Sequence, residues 1–203
     1  EMIHDSVSFL KENADVMFYD AEHFFDGYKD NPEYALKTLE AAWQGGAECL
    51  VLCDTNGGTL PGEIERIIRE VRAGLPEVQL GAHTHNDSEC AVANSLVMLR
   101  EGARHIQGTV NGWGERCGNA NLCSIIPSAV LKMGFECGAG GERLGRLREI
   151  SRTIAEIANV NPDARQAYVG RSAFAHKGGV HVSAMQRNRE TYGPERLQTD
   201  LAD

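Results

Sequence analysis

The most concentrated chemistry in the chain lies in Gly81-Ala82-His83-Thr84-His85-Asn86-Asp87. Side chains alternate along extended backbone, so His83 and His85 share one face. Two neutral imidazoles side by side at a strand end can begin a divalent-metal site. The same pair would also suit a polar strand end that holds no ion. Asn86 and Asp87 break the strand and can cap the helix after it.

Three other apolar segments end in polar clusters, and together the four set the frame for those histidines. They are Val16–Asp20, Cys49–Asp54, Val78–His83 and His105–Asn111. Their polar ends, Asp20, Asp54, His83 and Asn111, lie 34, 29 and 28 residues apart. A spacing near thirty is that of a repeated strand-helix unit in a parallel sheet. Helical spacing fills the gaps. Ile64, Ile67, Ile68 and Val71 form one apolar stripe, with Thr59 as the expected N-cap and Pro61 behind it. Pro32 opens a helix closed by Gly45-Gly46, and another runs from about Ser88 to Arg100. Leu122 to Met133 keeps helical spacing, with Pro127 expected to kink or restart it.

Serial βα units with polar strand ends predict a (β/α)8 TIM barrel, whose active site gathers at the C-terminal ends of its strands. Eight strands close such a barrel and four are legible here. A long helix from Glu142 to Ala158 follows, then a Gly-rich stretch from Gly170 to His181 and a polar tail. The expectation is half a barrel over 1–137 and a helical linker subdomain over 138–203, together a fragment of a longer protein.

In that frame Glu22, Asp54, Thr55, His83, His85 and the loop Asn111-Gly112-Trp113-Gly114-Glu115-Arg116-Cys117-Gly118-Asn119 converge. Each has a structural reading too. Asp54 can anchor a turn with Asn56-Gly57-Gly58, and Glu115 can pair with Arg116. The glycines at 112, 114 and 118 do not have the spacing of a dinucleotide or P-loop fingerprint.

Composition narrows the class. The 203 residues are 42% hydrophobic and 24% charged, as in ordinary globular proteins. The formal charge of −9 argues against nucleic acid or anionic membrane as partner. No apolar run approaches the roughly 20 residues that span a bilayer. The six cysteines form no Cys-x-x-Cys pair and read as reduced, buried small hydrophobes of a cytoplasmic protein.

His83–Asp87 followed by Asn111–Asn119 resembles the metal-binding signature of the 2-isopropylmalate, homocitrate and citramalate synthase family. Tyr19–Tyr28, Leu52–Pro61 and Ala173–Ser183 are most similar to its (R)-citramalate synthase branch. The resemblance covers nearly the whole chain. It implies an acyltransferase that condenses acetyl-CoA with pyruvate to give (R)-citramalate and CoA, in isoleucine and other branched-chain amino-acid biosynthesis. It implies His83, His85 and Asn119 as ligands of a divalent metal (Mn, Zn or Mg) and Thr55 as holder of the oxo acid's carboxylate. It also implies Glu22, His181 and Tyr192 as catalytic residues, and a homodimer. The family's Asp-Thr-Thr-Leu-Arg-Asp-Gly-like segment, source of an Asp ligand and a substrate-polarising Arg, does not occur in this sequence. These residues alone are therefore expected to be nearly inactive.

The chemistry calls for the same parts. Joining a thioester's methyl carbon to a ketone needs the ketone polarised and the C–H proton removed by a positioned base. Other readings are a 2-isopropylmalate or homocitrate synthase, an aldolase-type lyase on the same barrel, or a non-catalytic metal-binding piece that associates through open strand edges. Arg116, Lys177 and Arg187 are candidates for the CoA phosphates.

Overall fold

The computed structural model describes residues 1–138, 141–175, 178–188 and 191, the side chains of 141 and 142 excepted. The chain resolves into two compact units, Glu1–Asn121 and Leu122–Asp203.

The first unit is built on a parallel sheet of four strands in the order β1 (Phe18–Ala21), β2 (Cys49–Asp54), β3 (Gln79–Thr84) and β4 (His105–Gln107). Helices alternate with them: α1 (Met2–Glu12), α2 (Phe24–Asp30), α3 (Pro32–Gln44), α4 (Pro61–Gly74) and α5 (Ala91–Arg100). Consecutive strands are neighbours, as expected for right-handed βα crossovers laid down in series.

Period-two alternation gives the sheet two different faces. Leu50, Leu52, Leu80 and Ala82 join the core with Phe25, Leu39, Ile64, Ile67, Ile68, Val71 and Met98 from the helices. Cys49, Val51 and Cys53 of β2 form a separate buried cluster on the opposite face. The register pairs Cys53 with His83 and His83 with Gln107, so that face also carries His83 and Gln107. Gly81 belongs to it for lack of room: a Cβ there would stand 2.9 Å from Val51 Cγ2 and 3.2 Å from Cys49 Sγ.

Helix boundaries follow local chemistry. Asn31 caps α3, its Oδ1 accepting the Tyr34 amide at 3.0 Å, with Pro32 at the first position. Gly45-Gly46 closes α3, Gly46 at φ +104°. Thr59 does not cap α4, because its hydroxyl donates instead to Asp54 Oδ1 at 2.8 Å; Leu60 takes the cap position. Helix α5 begins at Ala91, three residues after the expected Ser88, since Ser88 donates to Gly57 O and Glu89 turns left-handed at φ 56°. The short helices α1 and α2 lie where no helix was expected.

The second unit holds α6 (Leu122–Met133), α7 (Leu147–Ile157) and α8 (Gly179–Arg187). Pro127 does not split α6, which runs as one helix across it. The helix expected from Glu142 is a 3-10 turn, Gly141–Arg146, that passes into α7. Leu144 packs among Ile126, Val130, Leu131, Tyr168 and Phe174. Ile150, Ile154 and Ile157 of α7 are exposed.

Candidate metal site

The four strand ends of the first unit are tied together by their own loops. His23 sits left-handed at φ 56° and its amide donates to Thr55 Oγ1 at 2.8 Å, which joins the loop after β1 to that after β2. Arg116, from the loop after β4, grips Asp87 with two 2.8 Å bonds and reaches Thr55 O at 2.6 Å. Asp87 is held below the usual carboxylate range, first by the Arg116 hydrogen bond. So Arg116 pairs with Asp87 and not with Glu115, and it clamps three loops. Its guanidinium is already engaged, which weakens it as a phosphate ligand. Lys177 lies outside the described residues, and Arg187 is exposed at the end of α8.

Backbone pairing brings Asn119 beside the histidines. An antiparallel bridge joins His85 to Asn119; Asn86 donates to Gly118 O at 2.9 Å and Ala120 to Thr84 O at 3.0 Å. Gly118, at φ +94°, permits the close turn, for a Cβ there would lie 2.1 Å from Gly112 O. The loop glycines are thus explained by packing.

His83 Nε2 and His85 Nε2 face each other at 3.3 Å. Two ligands bound to one ion at roughly 2.1 Å stand about 3.0–3.4 Å apart at octahedral to tetrahedral angles. His83 Nδ1 contacts Gln107 Oε1 at 2.6 Å, and Gln107 Nε2 donates to Asp20 Oδ1 at 3.1 Å. Burial, then the neighbouring His83, pushes the His85 ring below the usual imidazole value, so it favours the neutral form that can ligate. Two buried atoms beside it lack hydrogen-bond partners, His85 Nδ1 and Asn119 Oδ1. Buried polar atoms are rarely left so, and an ion or a water would satisfy the Asn119 oxygen. Among the described residues no three His, Cys, Asp or Glu side chains gather. The donors are two imidazoles and an amide, a set that fits a divalent cation with positions left over for a substrate.

The other expected residues divide. Thr55 lies half-buried next to the site, its hydroxyl accepting from His23 and keeping its own proton to donate. Glu22 is exposed and reaches the Cys53 thiol, whose ionisation is pushed up by burial first and by Asp20 and Glu22 after it. Asp54 is the turn anchor: 1% exposed behind the sheet, it is bonded to Thr59 and Asn94. Burial holds its carboxyl above the ordinary range. His181 is exposed on α8 in the second unit, and Tyr192 lies outside the described residues.

Two relevant residues, Gln107 and Cys53, were not singled out in the sequence, nor was the clamping role of Arg116. Register would have flagged the first two, since both share the inward face with His83.

The model of the HMGL-like family matches residues 1–154. The chain belongs to this family. This HMGL-like chain is 62% identical over 201 residues to the (R)-citramalate synthase of Geobacter sulfurreducens, covering 99% of itself and 37% of that relative. It is 33% identical to the 2-isopropylmalate synthase of Sulfolobus acidocaldarius, over 95% of itself and 48% of that enzyme. A hydroxymethylglutaryl-CoA lyase from Acinetobacter baumannii, solved with coenzyme A and 3-methylmalate, superposes with a TM-score of 0.57 at 25% identity. The match covers 72% of this chain and 49% of the lyase. The four parallel strands with alternating helices are therefore part of a (β/α) barrel, and the chain spans little more than a third of the citramalate synthase it matches.

Proposed function

We propose that the protein carrying these residues is an acyltransferase that condenses acetyl-CoA with pyruvate, water then hydrolysing the thioester to give (R)-citramalate and CoA. One observation carries the choice: identity to an (R)-citramalate synthase is 62%, against 33% to a 2-isopropylmalate synthase, over nearly the same stretch. The HMGL-like lyase solved with coenzyme A supports a CoA ester as the second substrate.

In this reading His83, His85 and Asn119 hold a divalent cation, with imidazole nitrogens favouring Mn or Zn over Mg. When bound, such an ion polarises a 2-oxo acid's ketone and neutralises developing alkoxide charge. Thr55 donates its hydroxyl proton to the acid's carboxylate. Glu22 removes the methyl proton of the thioester, a contribution of about 10²–10⁴-fold. His181 and Tyr192 assist from the linker subdomain, which we place at 138–203 after the half barrel. The Asp87–Arg116 clamp keeps the strand-end loops in register while substrate binds.

The remaining assignments belong to the same proposal. No described helix is long and apolar enough to cross a membrane, and the charge of −9 disfavours nucleic acid. The location we propose is the cytoplasm, a reading supported by six free cysteines, which suit a reducing compartment. Strands β1 and β4 each have one neighbour in the described sheet, and homodimer formation is the association we propose.

Following free thiol with acetyl-CoA and either pyruvate or 2-oxoisovalerate, in a protein of the relatives' full length carrying these residues, tests the substrate. Turnover with pyruvate supports the reading. A preference for the branched acid replaces it with a 2-isopropylmalate synthase.

A further inference from the structure

We infer that Gln107 and Asp20 are positioning residues for His83: the Asp20–Gln107–His83 hydrogen-bond chain fixes the His83 tautomer and aims its Nε2 lone pair at the cation site. The inference deepens the metal reading above and uses three side chains from β1, β4 and β3.

Asp20, at one end of the hydrogen-bond chain, sets the direction of every bond in it. A carboxylate can only accept hydrogen bonds, so at 3.1 Å from Asp20 Oδ1 the Gln107 group must be its NH2. That sets the amide, which otherwise has two nearly equivalent orientations. Gln107 must then present its carbonyl oxygen to His83, where the contact is 2.6 Å. A carbonyl only accepts, so His83 Nδ1 carries the proton. In a neutral imidazole the other nitrogen, Nε2, then has the free lone pair. That is the atom 3.3 Å from His85 Nε2.

The sheet explains how residues 87 positions apart can do this. Gln107 pairs in register with His83, and both point to the face that carries Cys49, Val51 and Cys53. Asp20, on the far edge strand, spans that concave face to meet Gln107. Phe18 two residues earlier makes the same crossing, with its ring 4.6 Å from that of His105. Two such contacts between the first and last strands make the curvature part of the device. Ligand histidines commonly donate their second ring N–H to a partner of this sort, and losing it weakens metal binding about 10–100-fold.

The test reads tautomer and affinity separately. Nitrogen-15 spectra of the metal-free 203-residue chain, under mildly alkaline conditions, should show His83 with Nδ1–H. Gln107→Met removes the acceptor at nearly constant volume. It should mix the tautomers and weaken Mn²⁺ binding by calorimetry about 10–100-fold. Asp20→Leu should shift both readouts the same way but less, whereas Asp20→Asn, whose carbonyl still accepts from Gln107, should restore both. An Nδ1–H tautomer and Mn²⁺ affinity unchanged in Gln107→Met would overturn the inference, as would Asp20→Asn behaving like Asp20→Leu. If the unaltered chain takes up no Mn²⁺, the metal reading fails, while the tautomer still decides the hydrogen-bond chain.

Discussion

Cys53 and Cys117 carry the same side chain and should behave oppositely. Cys53 is 1% exposed, and burial together with Asp20 and Glu22 pushes its thiol up; Cys49 is pushed up to about 11 by the same first cause. Thiolate is the reactive form, so both should resist alkylation in the folded chain. Cys117 is exposed in the loop after β4, which corrects the expectation that all six cysteines are buried. Mass mapping after brief iodoacetamide treatment should find Cys117 modified first, with Cys49 and Cys53 protected until denaturant is added. Glu22 makes a second residue-scale prediction. In the full-length protein Glu22→Gln should lower kcat by about 10²–10⁴ if it is the base, and leave Mn²⁺ affinity nearly unchanged. What was legible at this scale was residue type. The pairing of Arg116 with Asp87 was not, because it joins two loops whose approach depends on the sheet.

At the scale of elements, alternation and stripe spacing were the readable signals. The α4 stripe of Ile64, Ile67, Ile68 and Val71 is wholly buried, as its spacing required. Ile67→Ala should lose about 2–5 kcal/mol in denaturant unfolding, the transfer cost plus that of the cavity. Boundaries were less legible where a side chain had a competing partner, as with Thr59 choosing Asp54 over the α4 amides. The α4–α5 pairing gives a pH test. Glu101 at the end of α5 is held below the usual carboxylate range, first by the Arg69 hydrogen bond at 2.9 Å and further by Arg100. A depressed folded value means that its stabilisation is complete above the ordinary carboxylate pKa of about 4.3 and is lost as pH falls through the folded value. Glu101→Gln should therefore melt below the parent at neutral pH, and the gap should close on acidification. A constant gap from neutral to acid would contradict this.

For the whole molecule, the near-thirty spacing of polar strand ends announced a serial parallel sheet, and the sheet order bears that out. The concave face was not legible, because the Asp20–Gln107 and Phe18–His105 contacts join segments almost ninety residues apart through curvature alone. The claim that matters most at this scale is that separate strands meet to build one cation site from His83, His85 and Asn119. The most direct measurement titrates Mn²⁺ into the chain and follows loss of the aqueous ion's electron paramagnetic resonance signal. The account predicts saturation at one ion per chain, sharply weakened in His83→Ala, His85→Ala and Asn119→Ala. An undiminished signal with the unaltered chain, or variants that take up Mn²⁺ as tightly as the unaltered chain, would contradict it.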